Sequence, residues 1–351
     1  MTRYQKWLIG SLVISAVSIA LVTGLTFNSE TVEALKRIKL EYILAAALLH
    51  ISSYFIWGLR TRALCKSLGY RINILKMTEI VISSTFLAGI TPSSAGGELL
   101  RVHGLSRNKI PIGKATAIVV GERLLDAIFI FSCLPFALYI LGDILSNYEF
   151  DAALLTANIL VFVLLVFFIY GVWKPEKVKY VTHMLTGRLA PLFGKKTDAA
   201  VSHFMEQIDR EIDNFHDSVR VFFSEGKRGL LWGIAYTFIF WIVEFSILIL
   251  ILMGLSRTPS ILTAFAAQVL MAVIMVIPAT PGASGVAELG AASIFSIFVD
   301  SSVLGITVLA WRTLTYHMNL LIGGLMSLKI LKDMNVIKKL IGDSTEPPQS
   351  A

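Results

Sequence analysis

Long apolar runs, interrupted at a few points by prolines, glycines and charges, set the pattern of this chain. Trp7 to Phe27 is the first, entered after Arg3 and Lys6. It is about twenty residues long, enough to cross a bilayer, and lacks a convincing cleavage site, so it reads as a retained helix rather than a signal sequence. Tyr42 to Leu59 is the second run. Leu75 to Ile90 is shorter and stops at a Pro/Gly break, after which Leu99 to Leu105 follows with Arg101 inside it. Ala115 to Leu141 is long enough to span, yet carries Glu122, Arg123 and Asp126, and Leu154 to Val172 is a clean span. Beyond a polar stretch from Lys174 to Gly229, Leu230 to Met253 spans again with Glu244 inside. Ile261 to Ile277 ends at a second break, Gly285 to Val299 completes that piece, and Val303 to Leu331 is a last run holding Arg312 and His317. Continuous runs of this kind predict helices, because a membrane barrel would show ten-residue alternation instead.

Composition agrees. Of 351 residues, 55% are hydrophobic and only 16% charged, with a mean hydropathy of +0.72; a soluble domain carries about 25% charged residues. The fold class expected is all-α, a polytopic transmembrane helical bundle. Cys65 and Cys133 lie in or beside apolar runs without metal-ligand spacing, and neither a metal nor a cofactor is expected. There is no Gly-x-x-x-x-Gly-Lys-Ser/Thr sequence, which argues against pumping by ATP. Nothing suggests nucleic acid as a partner.

The two breaks share a pattern. Thr91-Pro92-Ser93-Ser94-Ala95-Gly96 leads through Gly97 to Glu98, and Thr280-Pro281-Gly282-Ala283-Ser284-Gly285 leads to Glu288. The prolines are 281 − 92 = 189 residues apart, and Arg123 and Arg312 keep the same offset, 312 − 123 = 189. Proline cannot continue a helix, and a helix that restarts after it presents free N–H groups and its positive dipole end, a cradle for phosphate or carboxylate. Ser93, Ser94 and Ser284 can cap such a start or bond a ligand. Irregular backbone at membrane depth survives only inside protein or beside water, so a repeated break predicts a site between repeats. A single Pro/Gly kink would be ordinary packing.

Loop charge gives an orientation. The basic stretches at 60–76 and 101–114 and the C-terminal lysines belong on the cytoplasmic side, and the acidic connections around Asp143, Glu149, Asp151 and Asp300 outside, with Arg257 a single exception. This places both termini in the cytoplasm, provided each break segment is re-entrant and returns to its own side. The two units, about 42–141 and 230–331, are then inverted relative to each other within a domain over 1–335, followed by a polar tail at 336–351. The loop at 174–229 is cytoplasmic in this scheme. Phe204, Ile208, Ile212, Phe215, Val219 and Phe222 recur at helical spacing with acids opposite. That stripe packs on the bundle ends or docks a cytoplasmic partner; homo-oligomerisation is the other association to consider.

Ionisable groups inside spans cost about 2.5–3.5 kcal/mol each on insertion scales, so they are paired or functional. Glu98 and Arg101 are three apart on one helix face; Glu122 and Asp126 are four apart with Arg123 beside them. Arg312 has no acid within four residues, so its partner comes from elsewhere, Glu98 or Glu288 being candidates. These groups clamp the repeats together or bind a ligand, and arginine's fork suits a lipid phosphate. Glu244 and His317 read as hydrogen-bonded core residues rather than a proton relay.

Taken together, Thr91-Pro92-x-x-x-Gly96-Gly97-Glu98-x-x-Arg101, Gly121-Glu122-Arg123-x-x-Asp126 and Thr280-Pro281-Gly282-x-x-Gly285-x-x-Glu288 resemble the transmembrane domain of lysylphosphatidylglycerol synthases, the flippase part of the multiple peptide resistance factor. The resemblance covers roughly residues 5–335 and fits a stand-alone bacterial or archaeal member. It implies movement of a lipid between leaflets, and it favours Pro92, Gly96, Gly97, Glu98, Arg101, Glu122, Arg123, Asp126, Pro281, Gly282, Gly285, Glu288 and Arg312; Ser93, Ser94, Thr280 and Ser284 join the candidate site as residues of the breaks themselves. No soluble synthase domain occurs in the 351 residues, so the chain is not expected to be an enzyme, and the family's aminoacylated lipid does not transfer to it. The expected activity is flippase- or scramblase-like movement of an anionic phospholipid or phosphate-linked glycolipid in the plasma membrane. A lipid-modifying enzyme or glycosyltransferase would need carboxylates on a long external loop, whereas these acids lie within spans. A scaffold for a separate synthase, acting through the 174–229 loop, is the third reading.

Overall fold

The apolar runs fold as helices, and the computed structural model contains no strand among its described residues. These are 3–91, 94–144, 227–275 and 280–330, with a few isolated positions between 170 and 220. The expected span at 154–172, the amphipathic stripe in the 174–229 loop, the tail, and Pro92 and Ser93 lie outside them.

In chain order the helices are α1 (Arg3–Thr26), α2 (Ser29–Lys36), α3 (Leu40–Ser67), α4 (Ile74–Ile90), α5 (Ala95–Ser106), α6 (Ile112–Ile144), α7 (Lys227–Gly254), α8 (Ile261–Ile274), α9 (Val286–Phe295), α10 (Ser301–Arg312) and α11 (Met318–Ile330). Short polar residues set several starts: Asn73 Oδ1 accepts the Leu75 N–H at 2.9 Å ahead of α4, and Ser260 Oγ that of Thr263 at 3.4 Å ahead of α8. Among the described residues four helices, α1, α3, α6 and α7, are long and apolar enough to cross a membrane. The last apolar run is not one α-helix. A π-helical turn, Thr313–His317, separates α10 from α11 directly after Arg312; such turns widen the helix and re-aim side chains, often at functional positions.

Two helical hairpins carry the breaks. In the first, Thr91 ends α4 in an extended conformation. Its Oγ1 donates to the Leu87 carbonyl at 2.6 Å and accepts the Gly96 N–H at 3.0 Å, tying the end of one helix to the start of the next. α5 then doubles back along α4. At Gly97 the backbones come so close that a Cβ would lie 2.6 Å from the Ser84 carbonyl oxygen, so the position requires glycine. In the second, Pro281–Ala283 forms a single 3₁₀ turn with Gly282 at φ 61°, and Thr280 Oγ1 closes the loop onto the Ser284 carbonyl at 2.6 Å. α9 returns along α8, with Gly290 facing Ile274 and Met271.

The hairpin tips meet. A Cβ on Gly282 would sit 2.6 Å from the Gly89 carbonyl oxygen at the end of α4 and 2.4 Å from the Tyr316 ring, and the Tyr316 hydroxyl donates to that same carbonyl at 3.2 Å. Around this junction α3 and α7 run antiparallel, Gly229 against Ser67 and Gly254 against Ile43, while α11 packs on α4 and α1 on α10. The largest apolar core gathers α7 to α10 around Ile247, Ile251, Ala287, Ala291, Phe295 and Trp311.

The distribution of residue types is that of a membrane protein. Leu25, Leu48, Tyr139, Leu231, Leu321 and Leu325 face outward, whereas Arg60, Arg101 and Arg312 are among the most buried large side chains. In lipid the apolar surface is free to face out and charge must turn inward. The basic stretch read as a loop from residue 60 is corrected here: α3 continues to Ser67 and encloses Arg60, while Arg62 and Lys66 remain exposed. Arg257, the exception to the charge rule, pairs with Asp300 at 3.1 Å, so its charge is balanced locally.

Gly97→Val is expected to force α4 and α5 apart at a cost of about 1–3 kcal/mol, lowering the thermal unfolding midpoint in detergent. Gly113→Ala, whose added methyl meets no atom within 4 Å, is expected to leave that midpoint unchanged or slightly raised. Equal midpoints for the two variants would contradict the close packing of the hairpin.

Candidate functional site

The charged residues of α3, α5 and α6 form one cluster. Arg60, wholly buried, reaches Asp126 through Nη1 (2.6 Å) and Nη2 (3.4 Å), and Glu122 through Nε (3.3 Å). Arg101 Nη1 donates to the other oxygen of Glu122 at 2.7 Å, and Thr61 Oγ1 donates to the first at 2.6 Å. Trp241 of α7 donates its indole N–H to Asp126 Oδ1 at 3.0 Å. At the edge of the cluster Arg123 Nε donates to Glu98 Oε1 at 2.7 Å, and both side chains are about two-fifths exposed. Three arginines and three carboxylates balance in charge, which is what allows them to share an apolar interior. The six groups lie on three helices, so the cluster also joins the first hairpin to its neighbours.

Trp57 stands at the centre. The guanidinium carbons of Arg101, Arg60 and Arg123 lie 4.8, 5.6 and 5.9 Å from its ring centroid, an arrangement that uses the negative face of the ring. Two donors here have no hydrogen-bond partner among the described residues: Trp57 Nε1 and Arg101 Nη2, both buried. Leaving a buried donor unmade costs about 1–3 kcal/mol. Two such donors beside a half-open ion pair constitute unused capacity for an anion.

The second half repeats the ion pair in a closed form. Arg312 Nε donates to Glu288 Oε1 at 2.8 Å, the same atoms as in Arg123–Glu98, with both side chains almost fully buried. Arg312 Nη2 donates to the Gly282 carbonyl at 2.7 Å, and its guanidinium carbon lies 3.9 Å from the Tyr316 ring centroid. Glu288 Oε2 accepts the Gly285 N–H at 2.6 Å at the start of α9, and Ser15 of α1 donates to Oε1. His317 Nε2 approaches Ser15 Oγ at 3.5 Å. The break, the arginine and the glutamate thus form one unit, in which Arg312 satisfies a carbonyl left free by the 3₁₀ turn.

The residues expected from sequence therefore divide. Glu98, Arg101, Glu122, Arg123 and Asp126 come together, and Gly282, Ser284, Gly285, Glu288 and Arg312 form a second group. Thr280 and Pro281 frame that group, while Ser94, Gly96 and Gly97 build the first hairpin. One pairing suggested by spacing differs and one candidate pairing is met. Glu98 faces Arg123 rather than Arg101, although Arg101 is only three residues away, because Arg101 points to Glu122 on α6. Arg312 takes Glu288, one of its two candidates. Sequence reasoning missed Arg60, Trp57, Thr61 and Trp241, and it also missed Ser15 and Tyr316. A lone arginine at the end of an apolar run reads as a loop residue, and an isolated serine or tryptophan in a span carries no periodic signal. Among the described residues no group of three or more His, Cys, Asp or Glu is placed to hold a metal ion.

A family model described as the lysylphosphatidylglycerol synthase TM region matches residues 7–323. Similar proteins include a UPF0104 membrane protein of Archaeoglobus fulgidus, 32% identical over 91% of this chain and 95% of its own length. Another, from Methanocaldococcus jannaschii, is 27% identical over 92% and 95%. A third, from Pyrococcus horikoshii, is 25% identical over 85% and 90%.

The two matching ion pairs are expected to respond differently to the same substitution. Arg312→Gln strands a buried carboxylate, at a cost of about 3–5 kcal/mol, and should melt early. Arg123→Gln opens a half-exposed pair worth about 0–1 kcal/mol and should melt close to the parent. Thermal unfolding of both purified variants checks this, and an equal loss in the two would contradict the difference in burial.

Proposed function

The chain belongs to the lysylphosphatidylglycerol synthase transmembrane family, and on that footing we propose that it moves an anionic lipid between leaflets, an anionic phospholipid or a phosphate-linked glycolipid. The observation that carries this reading is the half-open Arg123–Glu98 pair beside the unused donors of Arg101 and Trp57. A phosphate entering there would displace Glu98 from Arg123 and accept from Arg101 Nη2 and Trp57 Nε1. Arginine's fork matches two phosphate oxygens at once. The apolar exterior lets the acyl or isoprenoid chain stay in lipid while the headgroup travels inside the protein.

The repeated ion pair supports an inverted arrangement, and the loop charges support cytoplasmic termini in a plasma-membrane protein. In this reading the two hairpins enter from opposite sides, meet at their tips, and present one open and one closed copy of the same pair. Alternation between them would expose the headgroup path to each side in turn. The protein carries the lipid without altering it, and no bond of the lipid need be broken.

Purified protein in phosphatidylcholine vesicles, each holding one tail-labelled fluorescent lipid, tests the proposal by accessibility of the label to an impermeant quencher. Phosphatidylglycerol and a polyisoprenyl phosphate are expected to cross at least about tenfold faster than labelled phosphatidylcholine, a difference of about 1.4 kcal/mol. Arg123→Gln is expected to lose most of that transfer while keeping its fold. Equal transfer of all three lipids would remove headgroup recognition, and no transfer above protein-free vesicles would overturn the reading.

A further inference from the structure

A third polar group lies apart from both ion pairs and links the two halves of the chain. His50 of α3 places Nδ1 3.0 Å from Glu244 Oε1 on α7, and Nε2 3.2 Å from Asn319 Oδ1 on α11. Tyr54, one turn along α3, donates its hydroxyl to Asn319 Oδ1 and lies 3.2 Å from His50 Nε2. His50 and Tyr54 are 3% and 2% exposed, and the Glu244 side chain is 16% exposed. His50 and Glu244 each sit about one turn from the middle of a 28-residue helix.

Hydrogen-bond accounting limits where the protons can lie. Asn319 donates its amide N–H to the Thr315 carbonyl, which turns Oδ1 towards the ring and the hydroxyl. An amide oxygen only accepts, so in the tautomer that pairs with Asn319 His50 Nε2 is the donor, with the Tyr54 hydroxyl the other group within reach of that nitrogen. On the other side Nδ1 faces a carboxylate oxygen at 3.0 Å. That contact is a hydrogen bond only if one proton lies between the two atoms, on nitrogen as imidazolium or on oxygen as carboxylic acid. Without it, two lone pairs oppose each other in a buried setting, at the cost of an unmade bond on each side.

We propose that His50 and Glu244 form a single-proton binding site whose occupancy couples α3 of the first half to α7 and α11 of the second. With the proton bound, the three helices are clipped together. When it leaves to water through Glu244, the more open end, the α3–α7 contact turns repulsive and the halves are released. Asn319 lies two residues beyond His317, in the same run as the π turn and Arg312, so a shift of α11 reaches the closed ion pair directly. The coupling of this proton to lipid movement rests on the transport reading above; the proton site itself does not.

The surroundings leave the pair isolated. The titratable groups facing His50 among the described residues are Glu244 and, on its own helix, Tyr54; α11 contributes the uncharged Asn319. α4, also packed on α3, carries Lys76 and Glu79 at its start, paired with each other at 3.0 Å, and α6, packed on both α3 and α7, carries Glu122, Arg123 and Asp126, which pair with Arg60, Arg101 and Glu98. In the π turn Tyr316 faces Arg312 and His317 faces Ser15. The group has no shared partner with either arginine cluster.

Two measurements on the full chain test this. In lipid nanodiscs, nitrogen-15 histidine spectra contain six histidines, and loss of a signal in His50→Gln identifies His50. Between about pH 5 and about pH 9, Nε2 should stay protonated while Nδ1 follows one single-proton transition. The midpoint should move by at least about one pH unit in Glu244→Gln. A His50 signal without a transition, or one indifferent to Glu244→Gln, overturns the site. In vesicles with tail-labelled phosphatidylglycerol, reversing a pH gradient of about two units should change the transfer rate at least about tenfold, within the roughly hundredfold that a gradient of that size can drive through one proton. Glu244→Gln should abolish that dependence, and Glu244→Asp should restore part of it. Transfer indifferent to the gradient overturns the coupling. Absence of any transfer overturns the transport reading instead, while the nitrogen titration still decides the proton site.

Discussion

A guanidinium inside an apolar bundle must be met by a carboxylate, and much of this structure follows from that requirement. An uncompensated charge at such depth costs several kcal/mol, more than most single packing contacts return. Arg60 and Arg101 therefore hold α3 and α5 against α6 through Glu122 and Asp126, and Arg312 holds the start of α9 against the end of α10 through Glu288. Helices whose outer faces are as apolar as lipid have little hydrophobic reason to associate in a bilayer. Buried ion pairs and close glycine contacts supply the reason instead.

The same constraint explains where the backbone breaks. Each interruption leaves N–H and carbonyl groups outside the helical ladder, and away from lipid these find partners in the protein or in water. Thr91 does this for the first hairpin with one hydroxyl that donates to Leu87 and accepts from Gly96. The second uses Arg312 on the Gly282 carbonyl and Glu288 on the Gly285 N–H. The breaks are thus held by different chemistry at corresponding positions. The difference tracks the state of the two ion pairs: where the arginine is committed to the loop the pair is closed, and where the threonine serves the loop the arginine stays half open.

Polar groups without charge complete the connections between halves. Tyr316 reaches from the π turn to Gly89 at the tip of the first hairpin, and Asn319 reaches from α11 to His50 and Tyr54 on α3. Both belong to the run that would otherwise be the simplest helix of the chain. The π turn after Arg312 gives that run its bend in side-chain direction, with Arg312, Tyr316 and Asn319 serving three different partners within eight residues.

Hydropathy and proline alone determined the helical membrane class, the positions of both breaks and the set of charges that had to be buried, because each depends on residues close together in the chain. The offset of 189 residues between the prolines and between Arg123 and Arg312 was likewise legible, since a repeat needs no geometry to be seen. Partner choice was not. Glu98 and Arg101 share a helix face, yet the packing of α5 on α6 sends one to Arg123 and the other to Glu122. Arg60 looked like the first residue of a basic loop and is wholly buried, because two carboxylates more than sixty residues away meet it. His50, Asn319 and Ser15 stand alone in apolar sequence, and only the crossing of distant helices brings them to Glu244, Tyr54 and Glu288. Local pattern fixes which groups must find partners; the relative placement of helices, set by contacts far apart in the chain, decides which partners they find.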